Sequence, residues 1–326
     1  MQSPLKEQVL TLLCENAGSP VSGSEMAAQL GVTRNAVWKA IRQLAADGCR
    51  IKAAPNRGYT LEEAGDLLLS PLIRKTLHTD RLGRELVIAD TLDSTNEQAK
   101  RLAANGAPDG TVVIARQQTG GKGRRGRSFF SPPGSGLYMS LLLRPDFPVE
   151  ETGLLTSLTA VAVAEAIESL APVSVGIKWV NDLFIGSKKL CGILTEAAMD
   201  MESGTLEYIV IGIGVNVGKA HFPPELADIA TSIGNESPRP ICRAALAAEI
   251  LNRLEDRMAS AGTGRFLEES RRRSIVLGKT VTVTQGSASY PARAIDIDDE
   301  GRLILETAEG IQHLGSGEIS VKPDRL

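Results

Sequence analysis

The chain has 326 residues, an apolar fraction of 42%, a charged fraction of 23% and a formal net charge of −3. These values are typical of an ordinary globular protein of two or three domains, at ~100–200 residues per domain. They exclude a chain that binds nucleic acid through its overall charge, so any such contact needs a local basic patch. Four scattered cysteines without a CxxC pair, and no apolar run near the ~20 residues of a membrane span, indicate a cytoplasmic protein without membrane contact.

The N-terminal segment, residues 1–60, is basic, with seven Lys and Arg residues against four Asp and Glu residues. Helical patterns at 5–17, 22–30 and 33–46 are separated by glycine turns, and a short basic hairpin follows. This arrangement predicts a winged helix-turn-helix whose third helix contacts DNA as part of a dimer. The candidate DNA-binding residues are Thr33, Arg34, Asn35, Trp38, Lys39, Arg42 and Arg57. The alternative is a three-helix packing domain with ordinary surface charge.

A strand pattern at 85–89 leads into a run of polar residues before the next helix. The run is Asp93-Ser94-Thr95-Asn96. Such residues cap helices, which is sufficient to explain one or two of them. Four in a row exceed what one cap needs and indicate contact with a polar ligand.

The most informative segment is a loop of glycines and cations between two predicted strands. Its sequence is Gly120-Gly121-Lys122-Gly123-Arg124-Arg125-Gly126-Arg127, directly after Gln118-Thr119. Glycine weakens helix and strand alike, and the like charges repel one another. Guanidinium groups pair with phosphate or carboxylate, so the loop is predicted to fold around an anion. A solvated basic loop is the alternative.

Later segments complete a pattern that resembles the biotin protein ligases. They are Lys178-Trp179-Val180-Asn181-Asp182, Lys189-Leu190, Gly192-Ile193-Leu194 and Gly214-Val215-Asn216. Together with the basic loop, the polar run and the winged helix, they make the whole chain similar to the bifunctional biotin ligase and biotin operon repressor family. The chain departs from the family pattern at Lys122, where arginine is usual, and at Val180, where proline is usual.

The predicted fold is α/β (α+β) with three domains, at residues 1–65, 66–274 and 275–326. The resemblance implies a central mixed-sheet ligase domain of the class II synthetase-like type. After Gly278 the apolar pattern has a period of two with glycine turns, which predicts a small SH3-like β-barrel.

The resemblance also implies the reaction and the partners. Biotin and MgATP give biotinyl-5′-AMP and pyrophosphate, and a lysine of the biotin carboxyl carrier protein of acetyl-CoA carboxylase then accepts the biotin. The cofactors would be biotin, ATP and Mg²⁺. The further partners would be operator DNA of the biotin genes and a second copy of the chain when the adenylate is bound.

The site residues follow from the resemblance, position by position. Catalysis is expected of Lys189, Asp182 and Arg124. Biotin binding is expected of Ser94, Thr95, Asn96, Gln118, Lys122, Gly123, Arg124, Lys189 and Gly192. Binding of ATP or the adenylate is expected of Arg125, Arg127, Lys178, Trp179, Asn181 and Asn216. Asp182 would orient or deprotonate the acceptor amine, or help to hold Mg²⁺, and the sequence leaves these roles open.

Other functions fit the sequence less well. A transcription factor that senses biotin without ligation is the main rival, and the retained Lys189, Asp182 and basic loop argue against it. Lipoate and octanoate ligases share the general plan but not these loop and strand motifs. An RNA-binding protein would need a stacking platform, which an aromatic fraction of 4% does not suggest.

Overall fold

The computed structural model describes residues 4–55, 57–144, 152–199, 205–261, 264–285, 288–315 and 317–321. Contacts divide the chain into two compact units. The first comprises residues 1–78 and 242–249, and the second comprises residues 79–241 and 250–326. The three-domain division of the sequence, with its first boundary near residue 66, stays a prediction.

The first unit contains the expected winged helix-turn-helix. Its elements are α1 (Leu5–Glu15), α2 (Gly23–Leu30), α3 (Arg34–Ala46), β1 (Arg50–Ala54), β2 (Gly58–Glu63) and α4 (Ser70–Arg74). Ser22 and Glu25 form a capping box at the start of α2, and Gly31 ends that helix in the left-handed conformation. The Thr33 hydroxyl caps α3 by accepting the Ala36 N–H at 3.2 Å. Local sequence therefore defines where both helices begin.

A seven-stranded mixed sheet forms the centre of the second unit. Its strands are β3 (Leu86–Leu92), β4 (Val112–Gln118), β5 (Gly136–Leu143), β6 (Gly176–Lys178), β7 (Asp182–Ile185), β8 (Lys188–Met199) and β9 (Leu206–Asn216). The order across the sheet is β3-β4-β5-β9-β8-β7-β6. Only the β3–β4 pair is parallel among the described strands. β5 is buried along its whole length, and this places the core at the middle of the sheet.

Helices α5 (Thr95–Ala104) and α6 (Thr152–Leu170) pack against this sheet. Further helices are α7 (Pro224–Ala227), α8 (Ile233–Glu236) and α10 (Arg265–Arg273), and α9 (Arg243–Ala259) spans the division between the two units. Asn96 of α5 bonds to the Glu196 side chain on β8, whereas Thr156 of α6 bonds to the side chain of the preceding residue, Thr195. Because successive strand residues face opposite sides, α5 and α6 lie on opposite faces.

The α6 helix differs from the sequence expectation in one respect. Its stretch Gly153–Leu170 has a mean hydropathy of 1.4, which is apolar enough and long enough to cross a membrane. In the fold, 67% of that stretch is buried, and the helix packs against β8 and α10. A helix that packs against protein on several sides carries apolar residues around its circumference. A membrane-spanning helix does the same, because in both cases water contacts little of the surface.

The C-terminal part of the second unit is a five-stranded antiparallel sheet. Its strands are β10 (Thr280–Gln285), β11 (Ala288–Ile297), β12 (Leu303–Thr307), β13 (Gly310–Leu314) and β14 (Glu318–Val321), in the order β13-β12-β11-β10-β14. Alternate residues such as Val281, Val283, Leu303 and Leu305 are buried, as the period-two pattern predicted. The sheet thus has one buried apolar face.

Candidate active site

Three glycines on neighbouring strands make a flat floor. Gly192 on β8 lies opposite Gly214 on β9, and Gly212 lies two residues further along the same face. A Cβ atom at Gly212 would stand 2.2 Å from Asn96 Oδ1, and one at Gly214 would stand 2.7 Å from the Phe129 ring. Side chains at these positions would therefore fill the space above the strands.

The floor belongs to a hollow that we call the amide pocket. Its lining comprises Ser94, Thr95, Asn96, Gln118, Lys122, Gly123, Arg124, Phe129, Asn181, Lys189, Gly192, Ile193, Leu194, Gly212, Ile213 and Gly214. Every residue that the sequence predicted to bind biotin is among these lining residues. The roles of these side chains toward a ligand stay predictions.

The start of α5 and the end of β4 form one wall of the pocket. Gln118 Oε1 accepts from the Thr95 main-chain N–H at 2.8 Å and from the Thr95 hydroxyl at 3.1 Å. Gln118 Nε2 donates to Ser131 Oγ at 2.9 Å. Ser94 occupies the cap position of α5, but its hydroxyl makes no capping bond. Helix capping therefore does not explain Ser94, which is buried beside the pocket.

Asn96 has almost all of its hydrogen-bonding capacity in use. Its Nδ2 donates to Glu196 Oε2 at 2.7 Å and to the Leu194 carbonyl at 3.3 Å. Its Oδ1 accepts from Ser140 Oγ at 2.6 Å. An amide has two N–H donors and an oxygen with two lone pairs, so one acceptor site on Oδ1 remains.

The basic loop folds back as a tight turn rather than as an open coil. Phe129 N–H donates to the Gly121 carbonyl at 2.8 Å, and Gly123 N–H donates to the Arg127 carbonyl at 2.7 Å. Arg125, at φ 55°, adopts the left-handed conformation, which is uncommon for a residue other than glycine. The cationic side chains of the turn therefore contact different acidic and polar partners.

A second hollow, the basic cleft, adjoins the amide pocket. Its lining comprises Gly123, Arg124, Arg125, Arg127, Ser128, Phe129, Asn181, Asp182, Lys189, Gly317 and Glu318. It shares five residues with the pocket, namely Gly123, Arg124, Phe129, Asn181 and Lys189. A ligand with an uncharged end and an anionic end could therefore occupy both hollows.

Carboxylates and an amide hold the cations of the basic cleft. Lys189 Nζ lies 2.7 Å from Asp182 Oδ1, and Arg124 donates to Asn181 Oδ1 at 3.0 Å. Arg127 pairs with Glu318 of β14 at 2.5 Å. Burial lowers the pKa of the Arg124 guanidinium, although the nearby Asp182 opposes this shift. An anion that entered the cleft would offset the cost of burying this cation.

Main-chain bonds fix the position of Lys189. The Lys189 N–H donates to the Ile229 carbonyl at 2.8 Å, and the Thr231 N–H donates to the Lys189 carbonyl at 2.9 Å. The Thr231 carbonyl in turn accepts from Asn216 Nδ2 at 2.9 Å. Residues 229–231 therefore join Lys189 to the end of β9.

Three residues predicted to bind ATP lie outside both hollows. The Trp179 indole N–H donates to the Gly301 carbonyl at 3.0 Å and is buried there. Asn216 bonds to Thr231, as described above, and the Lys178 ammonium lies 5.6 Å from the centre of the Phe184 ring. Burial lowers the pKa of Lys178, with Asp182 opposing that shift. Trp179 thus joins the turn between β6 and β7 to the turn between β11 and β12.

Sequence reasoning missed several residues of the site. Phe129 lies over the glycine floor, Glu318 pairs with the basic loop, and Glu196 and Ser140 bond to Asn96. The alternating glycines at 212 and 214 were a usable signal, because glycine within a strand marks a close approach. No sequence pattern connects Glu196 with Asn96, which stands 100 positions earlier in the chain.

A divalent metal would find few ligands from the protein. No group of three His, Cys, Asp or Glu side chains with suitable geometry occurs in the part of the chain that the structure describes. Asp182, the predicted ligand, already accepts from Lys189 and Asn181 through Oδ1. Mg²⁺ prefers oxygen ligands and commonly binds through substrate phosphates with one carboxylate, and this fits Asp182.

The predicted DNA-binding residues share the exposed face of α3. Arg34, Asn35, Trp38, Lys39 and Arg42 are all exposed, as are Thr33 before the helix and Arg57 in the wing. The Arg42 guanidinium lies 5.0 Å from the Trp38 ring centre. The opposite face of α3, with Val37, Ala40, Ile41 and Leu44, is buried. The helix thus offers an exposed cationic surface.

Models of known protein families match the N-terminal, central and C-terminal parts of the chain. The model of the biotin/lipoate A/B protein ligase family matches residues 88–216. An HTH domain model matches residues 6–60, and the biotin protein ligase C-terminal domain model matches residues 276–322. These matches confirm the predicted fold class and the order of its parts.

Individual relatives extend this similarity to the whole chain. The bifunctional ligase/repressor BirA of Bacillus subtilis is 39% identical over 328 residues, covering 98% of this chain and 100% of the relative. The biotin–[acetyl-CoA-carboxylase] ligase of Mycobacterium tuberculosis is 32% identical, covering 78% and 97%. Biotin protein ligase from Aquifex aeolicus, solved in complex with biotin and ATP, superposes with a TM-score of 0.63 at 28% identity, covering 73% and 99%. The chain belongs to the BirA family of bifunctional ligase/repressors among the biotin protein ligases.

Proposed function

We propose that the chain is an ATP-dependent biotin protein ligase that also represses transcription. In the first step the biotin carboxylate attacks the α-phosphate of MgATP, and pyrophosphate leaves with its electron pair to give biotinyl-5′-AMP. In the second step a lysine amine of the biotin carboxyl carrier protein attacks the acyl carbonyl. AMP leaves, the amine loses a proton, and an amide bond remains.

The observation that carries biotin as the substrate is the polarity of the amide pocket. Asn96 offers one vacant acceptor site on Oδ1, which accepts from Ser140, while Glu196 and Leu194 take both of its N–H groups. Gln118 Oε1 already accepts twice, and Nε2 has one donor used, so Gln118 offers a donor. The ureido group of biotin has N–H donors and a carbonyl acceptor. Lipoate and octanoate lack N–H groups at that end and would leave the Asn96 acceptor unpaired.

The chemistry needs cations, because a carboxylate must approach a triphosphate. Lys189 and Arg124 line both hollows and therefore stand where the carboxylate of a ligand in the pocket would meet a phosphate in the cleft. Positive groups held in advance at such a point stabilise the developing charge of the transition state. Arg125 and Arg127 are assigned to the phosphates, and Mg²⁺ bound with ATP supplies further positive charge.

Asp182 is assigned to the second step. Its carboxylate lies 2.7 Å from the Lys189 ammonium, at the edge of the basic cleft. When Lys189 turns to the acyl phosphate, Asp182 is released to accept a hydrogen bond from the incoming amine. It then orients that amine or removes its proton.

We assign the repressor function to the N-terminal unit. The exposed cations on α3 suit phosphates and base edges, and a dimer would place two such helices on two half-sites. Binding of the adenylate would promote the dimer and hence operator binding. Reciprocity then requires operator DNA to tighten retention of the adenylate. We place the protein in the cytoplasm, where its four unpaired cysteines stay reduced.

The ligase proposal is tested with purified protein, MgATP and one acid at a time. Pyrophosphate release and the mass of the retained adenylate are measured for biotin, lipoate and octanoate. We expect release and a retained biotinyl-adenylate with biotin alone. A bound biotin without pyrophosphate would indicate a sensor that lacks ligase activity, and an equal rate with lipoate would overturn the assignment of the pocket.

The repressor proposal is tested by sedimentation and by binding to labelled DNA that carries the operator region of the biotin genes. We expect dimer formation and DNA binding to strengthen together when the adenylate is bound. A charge-removing variant, Arg34→Ala, should lose DNA binding and keep ligase activity. DNA binding that does not depend on the adenylate would contradict the proposed regulation.

A further inference from the structure

A chain of alternating charges runs from Asn96 to the basic loop. Asn96 Nδ2 donates to Glu196 Oε2 at 2.7 Å, and Lys100 Nζ donates to Glu196 Oε1 at 2.6 Å. Lys100 also bonds to Glu97 Oε1 at 3.0 Å, and Glu97 accepts from Lys122 at 2.8 Å. The chain brings together α5, β8 and the loop. The reaction proposed above uses neither Glu196 nor Lys100.

Glu196, together with a longer bond to the Leu194 carbonyl at 3.3 Å, determines which way the Asn96 amide can point. A carboxylate only accepts hydrogen bonds, and here each of its two oxygens has a different donor. Asn96 must therefore turn its Nδ2 toward Glu196. Its Oδ1 consequently faces Ser140 and the glycine floor at Gly212.

We propose that Glu196, held by Lys100, is a positioning residue that locks the Asn96 amide and so makes the amide pocket specific for a ligand with N–H donors. This inference rests on the proposed function, because it identifies the ureido N–H of biotin as the group that Asn96 Oδ1 accepts. Glu196 acts through Asn96 and lines neither hollow.

The substitution Glu196→Gln separates this role from simple packing, because it keeps the size and shape of the side chain. A glutamine has one acceptor oxygen and must choose between two donors. The charged Lys100 takes the oxygen, since hydrogen bonds to charged groups are the stronger ones. The N–H groups of the introduced amide then face Asn96, and the Asn96 amide turns over, giving up its longer bond to the Leu194 carbonyl at 3.3 Å. Its Nδ2 would point into the pocket, where it meets the ureido N–H groups of biotin as a second donor.

The experiment measures KM for biotin, KM for ATP and kcat of pyrophosphate release. We expect Glu196→Gln to raise KM for biotin roughly 10- to 100-fold, the effect of leaving a buried polar group unpaired, with KM for ATP unchanged. Glu165→Gln is the matched control, because Glu165 is a partly buried partner of Arg257 and lines neither hollow. It should match the wild type in all three constants.

A second substitution should reverse the first. In Glu196→Gln/Lys100→Met the competing donor is gone, so the glutamine oxygen returns to Asn96 Nδ2 and restores the amide orientation. KM for biotin should fall back to within about threefold of the wild-type value. A merely structural role for the charged pair predicts the opposite, because the double variant has lost both charges.

The outcomes are distinguishable. A wild-type KM for biotin in Glu196→Gln, or a KM in the double variant that stays tenfold or more above wild type, overturns the inference and leaves the ligase function intact. If the single variant does not fold, a KM for biotin tenfold or more above wild type in the double variant still overturns the inference. A wild-type protein without biotin-dependent pyrophosphate release overturns the proposed function itself.

Discussion

The amide pocket and the basic cleft adjoin one another, but the polar groups of each are occupied differently before a ligand binds. In the pocket, protein groups already satisfy nearly every polar atom of Asn96 and Gln118, and the few vacant positions define the ligand. In the cleft, Lys189 and Arg127 are held by Asp182 and Glu318, which an anionic ligand must displace. An uncharged group is thus recognised by fixed geometry, whereas an anion is recognised by exchange of partners.

The largest expected effect concerns the junction of the two hollows. Lys189→Ala should lower kcat for biotin-dependent pyrophosphate release roughly 100- to 1000-fold, because it removes one preorganised donor from the transition state. Lys188→Ala is the matched control, since the Lys188 ammonium bonds to the Ala227 carbonyl and lines neither hollow. Near-wild-type turnover in Lys189→Ala would remove the basis for treating the junction as catalytic.

The next effect separates the pocket from the cleft. Asn96→Ala should raise KM for biotin roughly 10- to 100-fold and leave KM for ATP unchanged, because Asn96 lines the amide pocket but not the basic cleft. Asn105→Ala is a suitable control, since that amide bonds to the Arg101 carbonyl at the end of α5. Equal changes in both constants would show that the two hollows do not act separately.

A smaller effect tests whether charge contributes more to binding in the basic cleft than in the amide pocket. Raising the salt concentration from about 0.05 to about 0.5 M should increase KM for ATP severalfold, because ions screen the exposed arginines of the cleft. KM for biotin should change much less, since geometry rather than charge dominates in the pocket. A larger salt effect on biotin than on ATP would reverse the comparison.

The smallest effect belongs to an ion pair outside both hollows. Arg101, together with the Ser94 N–H, holds the pKa of Asp93 at about 2. A lowered pKa means that the pair stabilises the fold above about pH 4 and loses its effect as the pH falls toward about 2. Asp93→Asn should therefore cost less than about 1 kcal/mol at pH 7, as exposed pairs do. Urea unfolding at pH 7 and pH 2.5 checks this, and a constant difference would contradict it.

Local sequence signals predicted much of the fold. Thr33 and Gly31 marked helix ends correctly, because capping bonds and left-handed turns depend on the residue itself. The period-two pattern after Gly278 predicted the C-terminal strands for a similar reason. The α6 helix shows the limit of such signals, since burial inside a fold and burial in a membrane select the same apolar residues.

The site was predictable only where its residues stand in a compact motif. The basic loop and residues 94–96 meet around the pocket, whereas Asp93 pairs with Arg101 outside it. Glu196 and Glu318 escaped prediction because tertiary pairing, not sequence spacing, brings them to Asn96 and Arg127. Trp179 shows the converse case, in which a residue within a motif bonds to Gly301 outside both hollows.

The most direct measurement is a crystal structure with a non-hydrolysable biotinyl-adenylate analogue. We expect the ureido group in the amide pocket, with one N–H donating to Asn96 Oδ1 and the Asn96 Nδ2 still on Glu196. Lys189 should have left Asp182 for the acyl phosphate, and Arg127 should have left Glu318. A ligand bound elsewhere, or an Asn96 amide that turns its Nδ2 toward the ureido group, would contradict the proposed recognition of biotin.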